Sequence, residues 1–228
     1  MAHSNPSLLD LNFKIVSLMV HGDHANVYPV LRLALSQLRI LVASLQIGVD
    51  AGPEPMVAPG ADQPTETIHV VPVQMPAINA DQDIFTLFNH VFHISHHGGH
   101  GAPTEEARFR LAVSGMYNIA LFLHQEGIRS GKCTNIIKAR RYYAVALDML
   151  KAVLGNRTED AVLELALLNN LGHAEALLAN GQQASAYLEE LASVNLHRVY
   201  AMPPQFADFF SNVACLAVTR IFSLSPAA

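Results

Sequence analysis

The stretch "LLNNLGHAEALLANGQQASAYLEEL", residues 167–191, decides the fold. Its apolar residues recur at spacings of three and four on both sides of Asn180 and Gly181, a pattern typical of two helices joined by a turn. Gly172 in the first helix and Ala184 in the second are small, and small residues let two helices approach closely. The stretch therefore predicts an antiparallel helical hairpin.

The same pattern occurs twice more in the chain. In the first copy, Ile15 and Val27 stand at the offsets of Gly172 and Ala184. In the second copy, Ala120 and Ala139 stand at these offsets, with seven extra residues in the turn between the helices. A supersecondary unit that recurs along a chain predicts a helical-repeat architecture.

This pattern resembles the tetratricopeptide repeat (TPR). The stretches "YNIALFLH", "YYAVALDML" and "FADFFSNVA" follow one another in the order seen in a lineage-expanded group of TPR-like proteins found chiefly in diatoms. Members of that group carry a proline-containing extended segment between the first and second repeats, as this chain does at 65–95. The resemblance implies an all-α fold of antiparallel helical hairpins in a right-handed superhelix, with an inserted extended segment or β-hairpin.

Composition divides the chain into three blocks, which we expect to form one domain overall. Residues 1–47 predict the first helical hairpin, broken at "HGDH", and residues 103–228 predict the remaining repeats with a C-terminal capping helix. Residues 48–102 contain a Pro/Gly-rich linker and the β-branched run "TIHVVPV", in which Pro72 favours an edge strand. Residues 84–94 offer a partner strand, although 84–93 fit a helix equally well.

The charge pattern excludes several classes of partner. The net charge is −5, and no Lys or Arg occurs from Ile40 through Ala107, so binding to nucleic acid is not expected.

The apolar runs and the cysteines bear on location. No run of about 18 apolar residues occurs, so no membrane-spanning helix is predicted. Only Cys133 and Cys215 are available, too few for a disulfide framework, and this favours a reducing, intracellular and cytoplasmic location.

The resemblance implies a scaffold for protein interactions. Stacked helical hairpins expose a concave face, lined by the first helix of each pair, that suits a protein or peptide partner. Their offsets from the small residues place five side chains on this face: Asn12, Tyr117, His124, Asn169 and His173. The alternative is that they are solvated or capping polar residues. No spacing supports a catalytic triad or paired carboxylates, so we expect no enzyme activity and no cofactor.

One basic cluster is a candidate for self-association. It consists of Arg129, Lys132, Lys138, Arg140 and Arg141. The cluster is either a solvated helix start or an interface for an acidic partner, which includes the acidic 40–107 segment of another copy.

The segment "NHVFHISHHGGH", residues 89–100, carries five histidines. Metal binding needs three or four ligands that converge on one point, and the candidates His96, His97 and His100 lie around two glycines with no carboxylate or cysteine among them. We therefore predict no metal site. The alternative function is a metal- or pH-responsive regulator that acts through loop 90–100, because imidazoles gain charge below about pH 6.5.

Overall fold

The computed structural model describes residues 6–48, 65–73, 86–97, 104–154, 160–198 and 202–224. Within these ranges the chain is mostly helical, as predicted, and contains one two-stranded sheet. The helices are α1 (Leu8–Val20), α2 (His24–Gly48), α3 (Glu105–Ser130), α4 (Cys133–Met149), α5 (Ala161–Leu177), α6 (Gly181–Arg198) and α7 (Pro204–Leu224). The strands are β1 (Thr65–Pro72) and β2 (His90–His97), and a short π-helix, Leu150–Leu154, follows α4.

Local signals fix the ends of the first helical pair. The Ser7 hydroxyl accepts a hydrogen bond from the Asp10 N–H at 3.2 Å, and the Asp10 carboxylate accepts from the Ser7 N–H at 3.1 Å. This reciprocal capping satisfies two main-chain donors at the start of α1. Gly22 has φ +69°, a conformation that glycine adopts without steric cost, so the predicted turn at "HGDH" joins α1 to α2.

The predicted extended insert is an antiparallel hairpin. Val70 lies opposite Phe92, and Pro72 lies opposite His90 at the end of the ladder. Residues 86–89 precede β2 and are neither helix nor strand, whereas residues 90–94 belong to β2. The described part of 84–94 therefore contains strand and no helix. His90 and His93 are an odd number of residues apart in a strand and point to opposite faces.

The contacts divide the chain into two compact units. Unit 1 comprises Met1–Gln74 and His90–Ile119, and unit 2 comprises Met75–Asn89 and Ala120–Ala228. The chain therefore passes from one unit to the other between Gln74 and Met75, between Asn89 and His90, and again inside α3. These units cut across the blocks 1–47, 48–102 and 103–228 that composition marks.

Each unit has its own buried core. In unit 1, α1 packs against α2 and β2, and Leu38 of α2 lies over Gly115 of α3. In unit 2, α5 packs against α4 and α6, and α6 packs against α7. A side chain at Gly127 of α3 would overlap Ile136 of α4, so glycine is required at that helix contact. Nearly every residue of α5 is buried, which makes it the central helix of unit 2.

Among the described residues, one helix has the length and apolar composition to cross a membrane, residues 24–44 of α2. It contains Arg32 and Arg39 and is not an uninterrupted apolar run, so the expectation that no helix spans a membrane stays a prediction. The helix is amphipathic, since Val27, Leu31 and Leu38 are buried while Arg32 and Arg39 are exposed.

Candidate functional site

Asn118 of α3 binds both main-chain groups of one residue in β2. The Phe92 N–H donates to Asn118 Oδ1 at 2.9 Å, and Asn118 Nδ2 donates to the Phe92 carbonyl oxygen at 2.7 Å. In an antiparallel ladder, the main-chain groups of successive residues point to opposite edges of a strand. Asn118 therefore satisfies the Phe92 groups on the edge of β2 that β1 does not cover.

Asn12 of α1 completes this contact in unit 1. Its Nδ2 donates to the same Phe92 carbonyl at 3.2 Å, and its Oδ1 accepts from Asn118 Nδ2 at 2.8 Å. Both amide hydrogens of Asn118 and its oxygen are thus used, which fixes the orientation of the side-chain amide. Asn12 and Asn118 are buried, 1% and 0% exposed, so these bonds are made away from water.

Unit 2 repeats this arrangement with Asn170 of α5. The Phe88 N–H donates to Asn170 Oδ1 at 2.9 Å, and Asn170 Nδ2 donates to the Phe88 carbonyl at 3.2 Å. Asn170 Nδ2 also donates to the Tyr143 hydroxyl at 3.3 Å. Burial raises the pKa of Tyr143 well above its ordinary value, so its hydroxyl stays neutral.

Two further side chains hold the same segment in unit 2. Asn169 Nδ2 donates to the Thr86 carbonyl at 2.9 Å. Gln125 Nε2 donates to Asn89 Oδ1 at 2.6 Å. We call Asn12 with Asn118 the unit 1 clamp, and Gln125 with Asn169 and Asn170 the unit 2 clamp. Each clamp binds an extended stretch of the chain's own backbone.

Aromatic packing accompanies each clamp. The Phe92 ring lies 4.9 Å from the Tyr117 ring in an edge-to-face contact. Around Phe88 the ring centroids of three α7 residues lie at 5.0–5.9 Å, and these are Phe206, Phe209 and Phe210. Both held phenylalanines are buried, at 0% and 1% exposure. The clamps thus hold the backbone while these rings hold the side chains.

Two histidines form a buried pair in unit 2. His173 Nδ1 lies 3.0 Å from His124 Nε2, a distance at which one neutral ring donates to the other. His124 is 0% exposed, and its Nδ1 has no hydrogen-bond partner among the described residues. Burial, and secondarily the neighbouring His173, lowers the pKa of His124 well below its ordinary value of 6.5.

The five residues predicted to line a groove all lie in the interior. Each is 5% exposed or less, so the expectation that they are solvent-accessible is wrong. Asn12 and Asn169 belong to the clamps, Tyr117 packs on Phe92, and His124 pairs with His173. In the folded chain, residues of the chain itself occupy the positions that Asn12, Asn169 and Tyr117 contact. A role for these five residues in binding a partner stays a prediction.

The sequence reasoning missed Asn118 and Asn170, which make the bidentate contacts. Both lie two residues before the small residue of their repeat, Ala120 and Gly172 respectively. Three of the predicted residues, Asn12, Tyr117 and Asn169, lie instead three residues before the corresponding position of their repeat. An asparagine at the same offset in two repeats was the available signal.

The histidine-rich loop is described only in part. His96 and His97 lie at the end of β2 with side chains outside the described residues, and His100 is outside them altogether. The His93 ring stacks on that of His69, its neighbour on β1, at 5.9 Å. Among the described residues no group of three or more His, Cys, Asp or Glu side chains has the arrangement of a metal site.

Two members of the basic cluster have acidic partners within unit 2. Arg129 bonds Glu126 at 2.6 Å, and Arg140 lies 3.4 Å from Glu175. These intramolecular pairs are consistent with a solvated helix start, and the use of the cluster as an interface stays a prediction.

Comparison of the chain with family models, with curated proteins and with solved structures finds no match. The likeness to TPR proteins accordingly remains an expectation from the sequence.

The clamps predict a large stability cost for loss of a single amide. Asn118→Ala removes three hydrogen bonds and leaves the buried Phe92 N–H and carbonyl with fewer partners, which we expect to lower the free energy of unfolding by about 2–5 kcal/mol. The matched control is Asn26→Ala, an exposed asparagine that bonds the Asp23 carboxylate at 2.8 Å, with an expected cost below about 1 kcal/mol. Urea unfolding measures both. Equal losses in the two variants would contradict the assignment of the unit 1 clamp.

The histidine pair predicts acid sensitivity. Burial lowers the pKa of His124 in the folded protein. Below about pH 6.5 this histidine therefore binds a proton in the unfolded chain but stays neutral in the folded protein until the pH reaches its lowered pKa. Stability should be full above about pH 6.5 and should decline as the pH falls from there towards the folded pKa, by up to about 1.4 kcal/mol per pH unit for one group. His124→Gln should reduce that slope relative to the unaltered chain. An unchanged slope in His124→Gln, measured by urea unfolding between pH 5 and 8, would contradict this account.

Proposed function

We propose that this chain is a protein-interaction scaffold of the TPR-like type, a right-handed superhelix of antiparallel helical hairpins that binds an extended peptide. Support comes from two packed helix pairs, α1 with α2 and α5 with α6, and from the asparagine that recurs at one offset in α3 and α5. The proposal includes a protein or peptide partner, an intracellular location and no catalysis.

The observation that carries this proposal is the chemistry of the clamps. Asn118 and Asn170 each contact an N–H and a C=O, groups that every residue except proline possesses. Such contacts bind an extended main chain without regard to its side chains, as in other modes of peptide recognition that use backbone hydrogen bonds. Residues 86–89 in unit 2, and Phe92 in unit 1, are then intramolecular ligands of two sites that each accept other extended chains.

The chain's own segment satisfies the unit 2 clamp incompletely. Gln125 Oε1 and Asn169 Oδ1 are buried, and neither accepts a hydrogen bond from a described residue. An unsatisfied buried acceptor costs on the order of 1–3 kcal/mol. A partner segment that brings donors to these two oxygens gains this free energy over the resident segment. The resident segment is covalently attached, which gives it an effective concentration on the order of millimolar. The free energy gained by the partner offsets part of this advantage.

A pH-responsive role is the second candidate. The stacked rings of His69 and His93 on the hairpin favour it, because burial and the neighbouring His69 lower the pKa of His93. Protonation of His93 on acidification would place a positive charge beside the His69 ring, on the strand that continues the held segment.

Complementation in trans tests the scaffold function. Phe88→Ala with Phe92→Ala weakens the resident segment, and a synthetic peptide with the sequence of residues 84–95 should then occupy the clamps and raise the melting temperature of that variant by several degrees. The control is the same variant with Asn118→Ala and Asn170→Ala added, in which we expect no response. Equal shifts in both proteins, or no shift in either, would contradict binding through the clamps.

A further inference from the structure

We infer that the unit 2 clamp selects its partner by side chains as well as backbone, and that it takes an extended segment in which an apolar residue and an aromatic residue precede an asparagine. This inference rests on the proposed function, and it names the class of partner. It derives from residues 87–89, Leu-Phe-Asn, which occupy the clamp in the folded chain.

The aromatic position is set by three rings. Phe88 is 0% exposed, and its ring meets Phe206 and Phe209 edge-to-face, with interplanar angles of 68° and 62°. Edge-to-face contacts use the positive edge of one ring against the negative face of another, an attraction that an aliphatic side chain lacks. Leu87 beside it is 4% exposed, so an apolar side chain is favoured there too.

The asparagine position is set by Gln125. This glutamine is 1% exposed, and its Nε2 donates to the side-chain oxygen of Asn89 at 2.6 Å. An apolar side chain at that position would leave a buried N–H donor without this acceptor, which is unfavourable because the donor has lost its water. Gln125 therefore favours a side chain that carries a carbonyl oxygen.

Register follows from the backbone contacts on either side. Asn170 binds the N–H and carbonyl of the aromatic residue, and Asn169 binds the carbonyl two residues earlier, that of Thr86. With these three main-chain groups fixed, the aromatic ring and the carboxamide cannot shift along the clamp independently. The aromatic residue and the asparagine must therefore be adjacent in the sequence. A peptide with another residue between them should not satisfy both positions.

The test uses fluorescein-labelled synthetic peptides and two full-length recipient chains. The recipients are Phe88→Ala and Asn89→Ala, so that if one of them fails to fold the other still reports. The peptides are the native sequence of residues 84–91, its Phe88→Ala form, its Asn89→Leu form and a form with one glycine inserted between the two positions. We expect each altered peptide to bind at least about tenfold more weakly than the native one in fluorescence anisotropy, as a loss of about 1.4 kcal/mol requires.

The outcomes separate this inference from the function on which it rests. If all four peptides bind equally, and if Asn170→Ala in the recipient abolishes that binding, the clamp reads backbone alone and the inference is overturned while the scaffold function stands. If no peptide binds either recipient, both are overturned. Selective binding that Asn170→Ala abolishes supports both.

Discussion

The structure depends on two side-chain amides that replace a neighbouring strand. A buried extended segment must find partners for its N–H and C=O groups on both edges, and β1 covers only one edge of β2. Asn118 supplies the donor and the acceptor that a second strand would offer at Phe92, and Asn170 does the same at Phe88, outside the ladder. Without these amides, the N–H and C=O groups of Phe88 and Phe92 would lose these hydrogen bonds while the segment is buried against helices.

The same constraint explains why the candidate site contains so many buried polar side chains. Helices satisfy their own backbone, so a helical surface offers an extended chain no main-chain partners. Side chains must provide them, and asparagine is short enough to do so with little loss of conformational freedom. A surface built in this way is suited to extended segments in general. Under the proposed function, a partner would compete with the resident segment for these contacts, and binding would be coupled to the position of the chain's own insert.

Helix periodicity and turn residues were sufficient to predict the mostly helical fold and the break at Gly22, but they left residues 84–93, the partner of the strand that contains Pro72, open between strand and helix. They could not distinguish Asn118 from Tyr117, because residues 112–127 of α3 are buried on all sides of the helix, so periodicity does not mark one face as special there. Periodicity also could not predict that the five proposed groove residues are buried. Asn12 is buried by Phe92, and His124 by His173, and these pairs are far apart in the sequence. Periodicity identifies a face of a helix, but the segment that covers the face is identified only by the tertiary structure.

Hydrogen exchange at the Phe88 and Phe92 amides measures whether Asn170 and Asn118 protect these groups from water. The account predicts that the Phe88 and Phe92 N–H groups, followed by NMR, exchange slowly in the native protein. It further predicts that Asn118→Ala accelerates exchange at Phe92 more than at Phe88, whereas Asn170→Ala accelerates it more at Phe88. Exchange of either amide at the rate of an exposed peptide in the unaltered chain would contradict the account, as would two variants that leave both rates unchanged.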